Sequence, residues 1–295
     1  MVDVSIIFVN YKTKDLTINA IKSVFEKTKS IEYEVFVVDN NSSDGSIEAI
    51  EETFPNIKII KNPVNAGFGA ANNLGIKEAK GKYVLCLNTD TILLNNAVKI
   101  MFDFMEKEEN KNVGVCGGDL VNKDGAPCYC CGNYPTFKSI LWDYLKIKNI
   151  FPECYKKIST TLKSNEITSN DNIDYISGAD IFFRKSVLDD VGLFDEKFFM
   201  YYEETDLCKR IKNKGYEIKL VKTAQIRHLE GKSSDISAQK KIWLRQSCIY
   251  FFKKHYPNQK QLIKLFYVII YLINRLILGR KESKDVLYAI INEIK

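Results

Sequence analysis

The sequence predicts an α/β fold, a mostly parallel sheet flanked by helices with a helical C-terminal extension, on three observations. Short apolar runs alternate with helix-periodic segments over the first 120 residues. Each run is apolar throughout rather than at every second position, the pattern of strands buried on both faces. Beyond Gly231 the chain shows helical spacing alone.

Val4–Val9 is the first run, closed by the turn Asn10-Tyr11-Lys12-Thr13, after which Leu16, Ala20, Ile21, Val24 and Phe25 recur at helical spacing. Glu34–Val38 is the second strand. It ends in the polar cluster Asp39–Ser46, which leads into a helix through Ile47, Ile50 and Phe54 with Ser43 or Asp44 as N-cap. Ile57–Ile60 reads as a strand, Ala70–Ala79 as a helix, Tyr83–Leu87 as a strand, Ala97–Met105 as a helix and Val113–Cys116 as a strand. From about Gly125 to Asn172 the rhythm breaks, and 163–172 reads as a polar loop. The pattern resumes with a strand over Tyr175–Phe183, a helix opening near Glu203 and a strand around Glu217–Val221. No internal repeat is present.

With 45% hydrophobic and 27% charged residues, the 295-residue chain has the composition of a soluble globular protein. Its charge is divided. Residues 231–295 hold 13 Lys/Arg against 4 Asp/Glu, whereas residues 1–230 hold 30 against 33, so a basic tail follows an acidic body. Such a tail suits an anionic surface. Met1–Ser5 opens without a basic leader and apolar stretch, which predicts no signal peptide, a cytoplasmic protein and reduced cysteines. The Cys128, Cys130 and Cys131 cluster lacks a paired Cys-x-x-Cys or a nearby histidine, so it reads as packed thiols rather than a zinc site. Leu262–Leu278 is apolar but interrupted, and its nine-residue core Leu265–Ile273 falls short of the ~20 residues that span a bilayer. It is either a buried packing helix or a membrane-surface helix. The flanking Lys253, Lys254, Lys260, Arg280 and Lys281 favour the surface.

Tyr83–Thr91 is the most informative stretch, because its buried strand delivers Asn88 and Asp90 into a polar turn. The carboxyl end of a strand is where open α/β sheets bind ligands. A single carboxylate holds a metal best when it shares the ion with a ligand's phosphates, which suggests a nucleotide-diphosphate site. Asp39 also ends a strand; it could accept from a nucleobase imide, or simply make the turn and cap the helix. Asn65–Asn72 looks like a dinucleotide fingerprint, but Asn72 stands where a third small residue belongs and the segment follows the third strand, so that reading fails. Gly67 and Gly69 still suit close approach of backbone to a phosphate or sugar.

Met200–Arg210 places Glu203, Glu204 and Asp206 at a helix start behind Phe198, Phe199, Tyr201 and Tyr202. Asp206 is accounted for by pairing with Arg210 and by the helix dipole. Glu203 and Glu204 beside aromatic walls suit the holding and deprotonation of a sugar hydroxyl. His228 ends an apolar segment, where it either completes a metal or phosphate site or is structural; His255 gets no functional reading.

In their order along residues 4–230 these segments resemble the inverting family 2 glycosyltransferases of GT-A fold, the rhamnosyltransferase-like branch above all. Val4–Thr13 is similar to the family's opening strand and nucleotide-contacting turn, Val37–Ser46 to its base-binding segment and Asn62–Gly75 to its donor loop. Leu87–Thr91 is similar to its Asp-x-Asp region, Ser177–Asp180 and Gly192–Glu196 to acceptor-side segments, and Tyr202–Arg210 to the catalytic helix start. The resemblance implies donor contacts by Val9, Asn10, Tyr11, Asp39, Asn65, Gly67, Gly69, Asn72 and Asn88. It implies acceptor contacts by Gly178, Asp180 and Tyr202, and Mg²⁺ or Mn²⁺ held by Asp90 and His228. Glu204 matches the catalytic base and Glu203 an acceptor-holding neighbour. Asn88 replaces the first acid of a full Asp-x-Asp, and Glu204 stands where many members have Asp.

The implied activity is sugar transfer from a dTDP- or UDP-sugar, dTDP-rhamnose foremost, to a glycan or lipid-linked acceptor for cell-surface polysaccharide. Residues 1–230 would form the catalytic domain, with 1–120 the donor half and 121–230 the acceptor half. Residues 231–295 would dock on the anionic inner face of the cell membrane. Two alternatives are a catalytically silent glycan-binding scaffold, which would lack the acids present here, and a nucleotidyltransferase, which wants glycines that Val9–Thr13 does not offer.

Overall fold

Val4–Asn10 forms strand β1, whose side chains are buried almost without break, and the computed structural model builds the sheet outward from it. The structure describes residues 2–168, 172–229, 238–277 and 284–291. Residues 169–171 of the expected polar loop, Arg280, Lys281 and the 230/231 boundary lie outside them.

The helix α1 (Lys14–Lys27) follows β1, then β2 (Tyr33–Asp39), α2 (Ser46–Thr53), β3 (Lys58–Lys61), α3 (Phe68–Glu78) and β4 (Tyr83–Leu87). These four strands are parallel in the order β3-β2-β1-β4, so β1 lies at the point where the winding reverses. Ligand crevices open at such points, outside the carboxyl ends of the strands. The register runs from Val4 opposite Tyr33 to Asn10 opposite Asp39, which sets the two strand-end polar residues side by side. The α2 cap differs from expectation. Gly45, at φ 75°, precedes the helix, and Asp44 accepts from the Ser46 N–H at 3.1 Å. A left-handed turn at this place needs the glycine, and Asp44 works from one residue further back.

Next come β5 (Thr91–Leu93), α4 (Ala97–Glu106) and β6 (Val113–Val121). The segment without clear rhythm holds β7 (Tyr129–Gly132), α5 (Phe137–Tyr144), α6 (Pro152–Lys156), β8 (Leu162–Lys163) and β9 (Tyr175–Ile176), with β8-β7-β9 forming a separate small sheet. The run expected over Tyr175–Phe183 is broken: β9 joins the small sheet, and β10 (Asp180–Arg184) enters the main sheet antiparallel between β4 and β6. After α7 (Lys185–Val191) and α8 (Glu203–Asn213), the long strand β11 (Glu217–His228) runs parallel to β6 and antiparallel to β5. Its last residue, His228, pairs with Thr91, and this pairing returns the chain to Asp90.

One apolar core fills both faces of the main sheet. A second unites Phe198 with Phe251, Phe252 and Cys248 of α9 (Ala238–His255), Ile263 and Tyr271 of α10 (Lys260–Leu272) and Ile290 of α11 (Lys284–Ile291). Truncating one such buried Phe costs about 3–5 kcal/mol, so these helices are fastened to the segment that precedes α8. Helix α10 is divided: Ile263, Ile270 and Tyr271 are buried, while Leu262, Leu265, Ile269 and Leu272 are exposed. Among the described residues no helix is long and apolar enough to cross a membrane.

Candidate active site

The β1–β2 edge is a closed hydrogen-bond network. Asn10, fully buried, donates to Asp39 Oδ1 at 2.7 Å and to Ser42 Oγ at 2.9 Å, and its Oδ1 accepts from Thr13 and Thr17. Asp39 Oδ2 accepts from the Ser42 N–H at 3.1 Å. Asp39 therefore does make the turn. A carboxylate offers about four acceptor sites, so two further bonds are open to it, and it borders a cavity of ≈ 520 Å³ with Asn41, Ser43 and Lys61. Val9 is partly buried beside this edge, and Tyr11 stands 42% exposed above it.

Sequence reasoning overlooked Asn40, although it fixes the donor loop. Its Oδ1 accepts from Asn62 Nδ2 (2.8 Å) and the Ala66 N–H (3.1 Å), and its Nδ2 donates to Asn65 Oδ1 (2.8 Å). Asn65 Oδ1 also accepts from the Gly67 N–H. Gly67 sits at φ 88°, and a Cβ there would lie 2.1 Å from the Phe199 carbonyl oxygen, which accepts from the Phe68 N–H. At Gly69 a Cβ would lie 3.0 Å from Phe194 and 3.4 Å from Glu203. The two glycines thus bring the donor loop against the start of α8, as much as towards any ligand. Asn72 is also turned inward. Only 1% exposed, it donates to the Phe68 carbonyl, which leaves it no open route to a donor. Its neighbour Asn73, also overlooked, exchanges hydrogen bonds with the Phe194 backbone and ties α3 to Gly192–Glu196.

At the end of β4, Asn88 is held by its backbone to Ala179 and Thr91. Asp90 Oδ1 lies 3.3 Å from His228 Nε2, and both side chains are about one-fifth exposed, at 21% and 18%. The Leu229 N–H donates to the Asp90 carbonyl and locks this pairing. One carboxylate and one imidazole at this spacing suit adjacent positions on Mg²⁺ or Mn²⁺, with phosphate oxygens and water completing the set. No group of three or more protein ligands exists among the described residues, so such a site is completed only by a ligand. The cysteines do not form one: none is in a disulfide, and Cys128, Cys130 and Cys131 are buried.

The acid edge is assembled differently. Tyr201 and Tyr202 both take φ 70°, a left-handed conformation that costs of order 1–3 kcal/mol per residue outside glycine. Tyr202 withstands this because its ring packs on Phe251, 5.5 Å between centroids, and its hydroxyl bonds Cys248. The turn presents Glu203 and Glu204 at the first positions of α8. Burial, reinforced by the neighbouring Glu204 charge, raises the Glu203 pKa well above the ordinary value, and Glu203 Oε2 has no partner. Burial also raises Glu204, to about 7, against the lowering effect of its own and the Thr205 N–H. Glu204 lines a cavity of ≈ 290 Å³ with Tyr129, Tyr175, Tyr201 and Tyr202. Gly178 stands on the far side, where a Cβ would be 4.0 Å from Glu204 Cγ and 3.4 Å from the Phe68 ring.

Two expectations need correction. Asp180 does not face the acceptor cavity: it is fully buried and accepts from the Gly118 N–H at 2.6 Å, where β6 glycines admit it. Burial raises its pKa well above the usual range, which marks a neutral structural carboxyl. His255 has a role that its sequence context concealed. Its Nε2 lies 2.7 Å from Asp206 Oδ1, and Arg210 and Lys254 also pair with Asp206. Burial alone would raise Asp206, but these contacts hold it at about 2 and clamp α8 to α9.

This arrangement has known counterparts. Residues 5–192 match the family model described as glycosyl transferase family 2. The chain is 26% identical over 220 residues to a low-salt glycan biosynthesis hexosyltransferase of Haloferax volcanii, covering 73% of this chain and 64% of that protein. It is 24% identical over 219 residues to an N-acetylglucosaminyl-diphospho-decaprenol L-rhamnosyltransferase of Mycobacterium tuberculosis, covering 68% and 67%. It is 30% identical to a poly-beta-1,6-N-acetyl-D-glucosamine synthase of Staphylococcus epidermidis, spanning 68% of this chain but only 44% of that protein. Among solved structures, a mannosyltransferase of Pyrobaculum calidifontis in complex with GDP-Man and Mn²⁺ superposes with a TM-score of 0.57 at 15% identity, over 98% of this chain and 72% of its own. S. aureus TarS gives 0.55 at 18% identity, over 87% and 44%. The sheet, its reversal at β1 and the flanking helices are those of the GT-A fold. With a family model covering well over half its length, the chain belongs to glycosyl transferase family 2.

Proposed function

We propose that the protein transfers a sugar from a nucleotide-diphosphate sugar to a saccharide hydroxyl, with inversion at the anomeric carbon. The observation that carries this reading is Glu204, a carboxylate with its pKa at about 7, set in a tyrosine-lined cavity against the donor loop. A base poised near neutrality is matched to taking a proton from a hydroxyl as it attacks. Glu204 accepts that proton, the acceptor oxygen bonds to the anomeric carbon from one face, and the bond to the phosphate oxygen breaks on the other. Glu203, kept neutral, donates a hydrogen bond that holds the acceptor. Tyrosine rings line the same cavity and suit the apolar face of a sugar.

On the donor side, Asp39 accepts from a uracil or thymine imide, Asn88 lies by the ribose, and Val9, Asn10 and Tyr11 flank the nucleotide. Gly67 and Gly69 hold the donor loop against Phe199 and Phe194, beside the diphosphate. Asp90 and His228 would hold Mg²⁺ or Mn²⁺, which when bound supplies positive charge to the departing diphosphate. We favour a dTDP- or UDP-sugar, dTDP-rhamnose first, because a rhamnosyltransferase is among the relatives. The acceptor is a glycan or lipid-linked saccharide of a surface polysaccharide. The protein works at the cytoplasmic face of the membrane, residues 1–230 acting as the catalytic domain and 231–295 as its basic docking extension.

A thermal-shift series with dTDP-rhamnose and UDP-sugars, with and without Mn²⁺, tests this. A donor at 100 times its Kd stabilises the fold by about 2.7 kcal/mol. The expected result is a donor-induced rise in Tm that needs Mn²⁺ and is lost in Asp90→Ala. A series in which no nucleotide sugar raises Tm overturns the reading, and stabilisation without turnover of any acceptor assigns a silent scaffold instead.

A further inference from the structure

Exposed large apolar side chains are not scattered over this protein. Of the fifteen among the described residues, eleven lie on two segments: Tyr144, Leu145, Ile150 and Phe151 between α5 and α6, and Leu262, Leu265, Ile269, Leu272, Leu276, Tyr288 and Ile291 at the C-terminal end. On α10 the exposed positions 262, 265, 269 and 272 fall at helical spacing, and Leu276 in the π-helical turn that follows continues the stripe. Phe266 belongs to the same face. Its ring meets Phe137 at 5.7 Å and Tyr144 at 5.8 Å, so the stripe continues directly into the α5 end. Ile150 and Phe151, 64% and 57% exposed, extend it further. A contiguous apolar surface of this kind marks an interaction site.

We infer that the 144–151 segment is a second membrane-insertion element, coplanar with the α10 stripe, and that its occupant is an anionic lipid bilayer. The argument for lipid is charge. Residues 138–157 carry five lysines against two acids, and the C-terminal extension adds its own basic excess. Lys138, Lys146 and Lys157 are exposed beside the apolar residues. Apolar side chains ringed by lysines fit the interface of an anionic leaflet, where basic residues add electrostatic attraction. The placement also serves the site. A cavity of ≈ 340 Å³ bounded by Asp143, Asn149 and Pro152 shares Tyr129 and Thr161 with the Glu204 cavity, so a lipid-linked saccharide entering beside Phe151 has a path to Glu204. This deepens the membrane-peripheral reading proposed above, yet its test needs neither donor nor acceptor.

The full chain is mixed with phosphatidylcholine–phosphatidylglycerol vesicles and with pure phosphatidylcholine vesicles and sedimented. Binding is expected only with the anionic lipid. Ile150→Asp with Phe151→Asp should weaken it at least about tenfold, as should Leu265→Asp with Ile269→Asp, since each pair removes insertable apolar area. A direct readout comes from Trp142, two residues before Tyr144. The chain has two tryptophans, and Trp243→Phe, which keeps an aromatic ring on Phe199, isolates its emission. Brominated lipid should quench that emission. Unquenched Trp142 in protein that still sediments with vesicles overturns the insertion of this segment. If the paired variants leave vesicle binding intact but turn a dimer into a monomer, the face belongs to a second copy of the chain and the inference fails. Loss of glycosyl transfer alone, with vesicle binding kept, bears only on the catalytic reading.

Discussion

The donor edge and the acid edge of the cleft face each other across Gly67, and they are built on opposite principles. The donor edge is tied together through the amides of Asn10, Asn40, Asn62 and Asn65, and its strand-end acid Asp90 remains partly in water. The acid edge is desolvated, its turn is strained at Tyr201 and Tyr202, and Glu203 Oε2 has no partner. The difference fits what the proposed function asks of each edge. A highly charged diphosphate calls for fixed dipoles and for a carboxylate that can share a metal ion with it. A base working at neutrality calls for burial, because water would keep its pKa near 4.5. Aromatic packing from α9 onto Tyr202 holds that burial in place.

The sharpest way to break this contrast is Glu204→Gln. It keeps the shape of the acid edge and removes the proposed base, so donor binding by thermal shift should be unchanged while kcat falls about 10³-fold, within the range of general-base catalysis. A variant that also loses the donor-induced Tm rise would move Glu204 to the donor edge and erase the division of labour.

Gly67→Ala attacks the junction between the two edges. A Cβ 2.1 Å from the Phe199 carbonyl, on a residue at φ 88°, forces the donor loop away from the turn that carries the tyrosines. Overpacking and left-handed strain together should destabilise the fold by about 2–4 kcal/mol in urea unfolding, with donor affinity falling alongside. Unchanged stability would mean that the two edges are not packed as one unit. Ala at Gly125, where a Cβ meets nothing within 4 Å, is the matching control for the φ term.

The same division decides what could be seen in the sequence. The parallel half was legible nearly residue by residue, because each buried strand is a continuous apolar run and each helix carries its own period; Tyr83–Leu87 was located to the residue. The acids clustered behind an aromatic run placed Glu203 and Glu204 at a helix start, where they are found. The small sheet β8-β7-β9 was not visible, since strands of two to four residues carry no period. Asn40 and Asn73 were missed for another reason. An asparagine in a turn or helix looks alike whether its amide binds a loop across the molecule or faces water, and only the long-range partners Asn65 and Phe194 tell them apart. Asp180 misled because only the family resemblance made it an acceptor contact, whereas Gly117 and Gly118, far back in the chain, leave room to bury it.

The smallest effect, about tenfold or 1.4 kcal/mol per pH unit, is also the one that tests the desolvation argument most directly. With Glu204 titrating at about 7 in the free enzyme, kcat/KM should fall tenfold per unit below that value and level off above it. Stability should move the other way. A carboxyl whose pKa is raised on folding binds protons more tightly in the native state, so its contribution is complete below 4.5 and is lost as pH rises through about 7. The lowered carboxylates, Asp206 at about 2 among them, have the opposite sign, but their window closes below their ordinary pKa and leaves the range above 4.5 to the raised carboxyls Glu203, Glu204 and Asp180. Wild-type Tm should therefore decline between about 4.5 and about 7 while activity climbs, and Glu204→Gln should show a shallower decline because the Glu204 charge can no longer form. A Tm that rises through this window to the same extent in both proteins would show that Glu204 is solvated after all, and with it the base assignment would go.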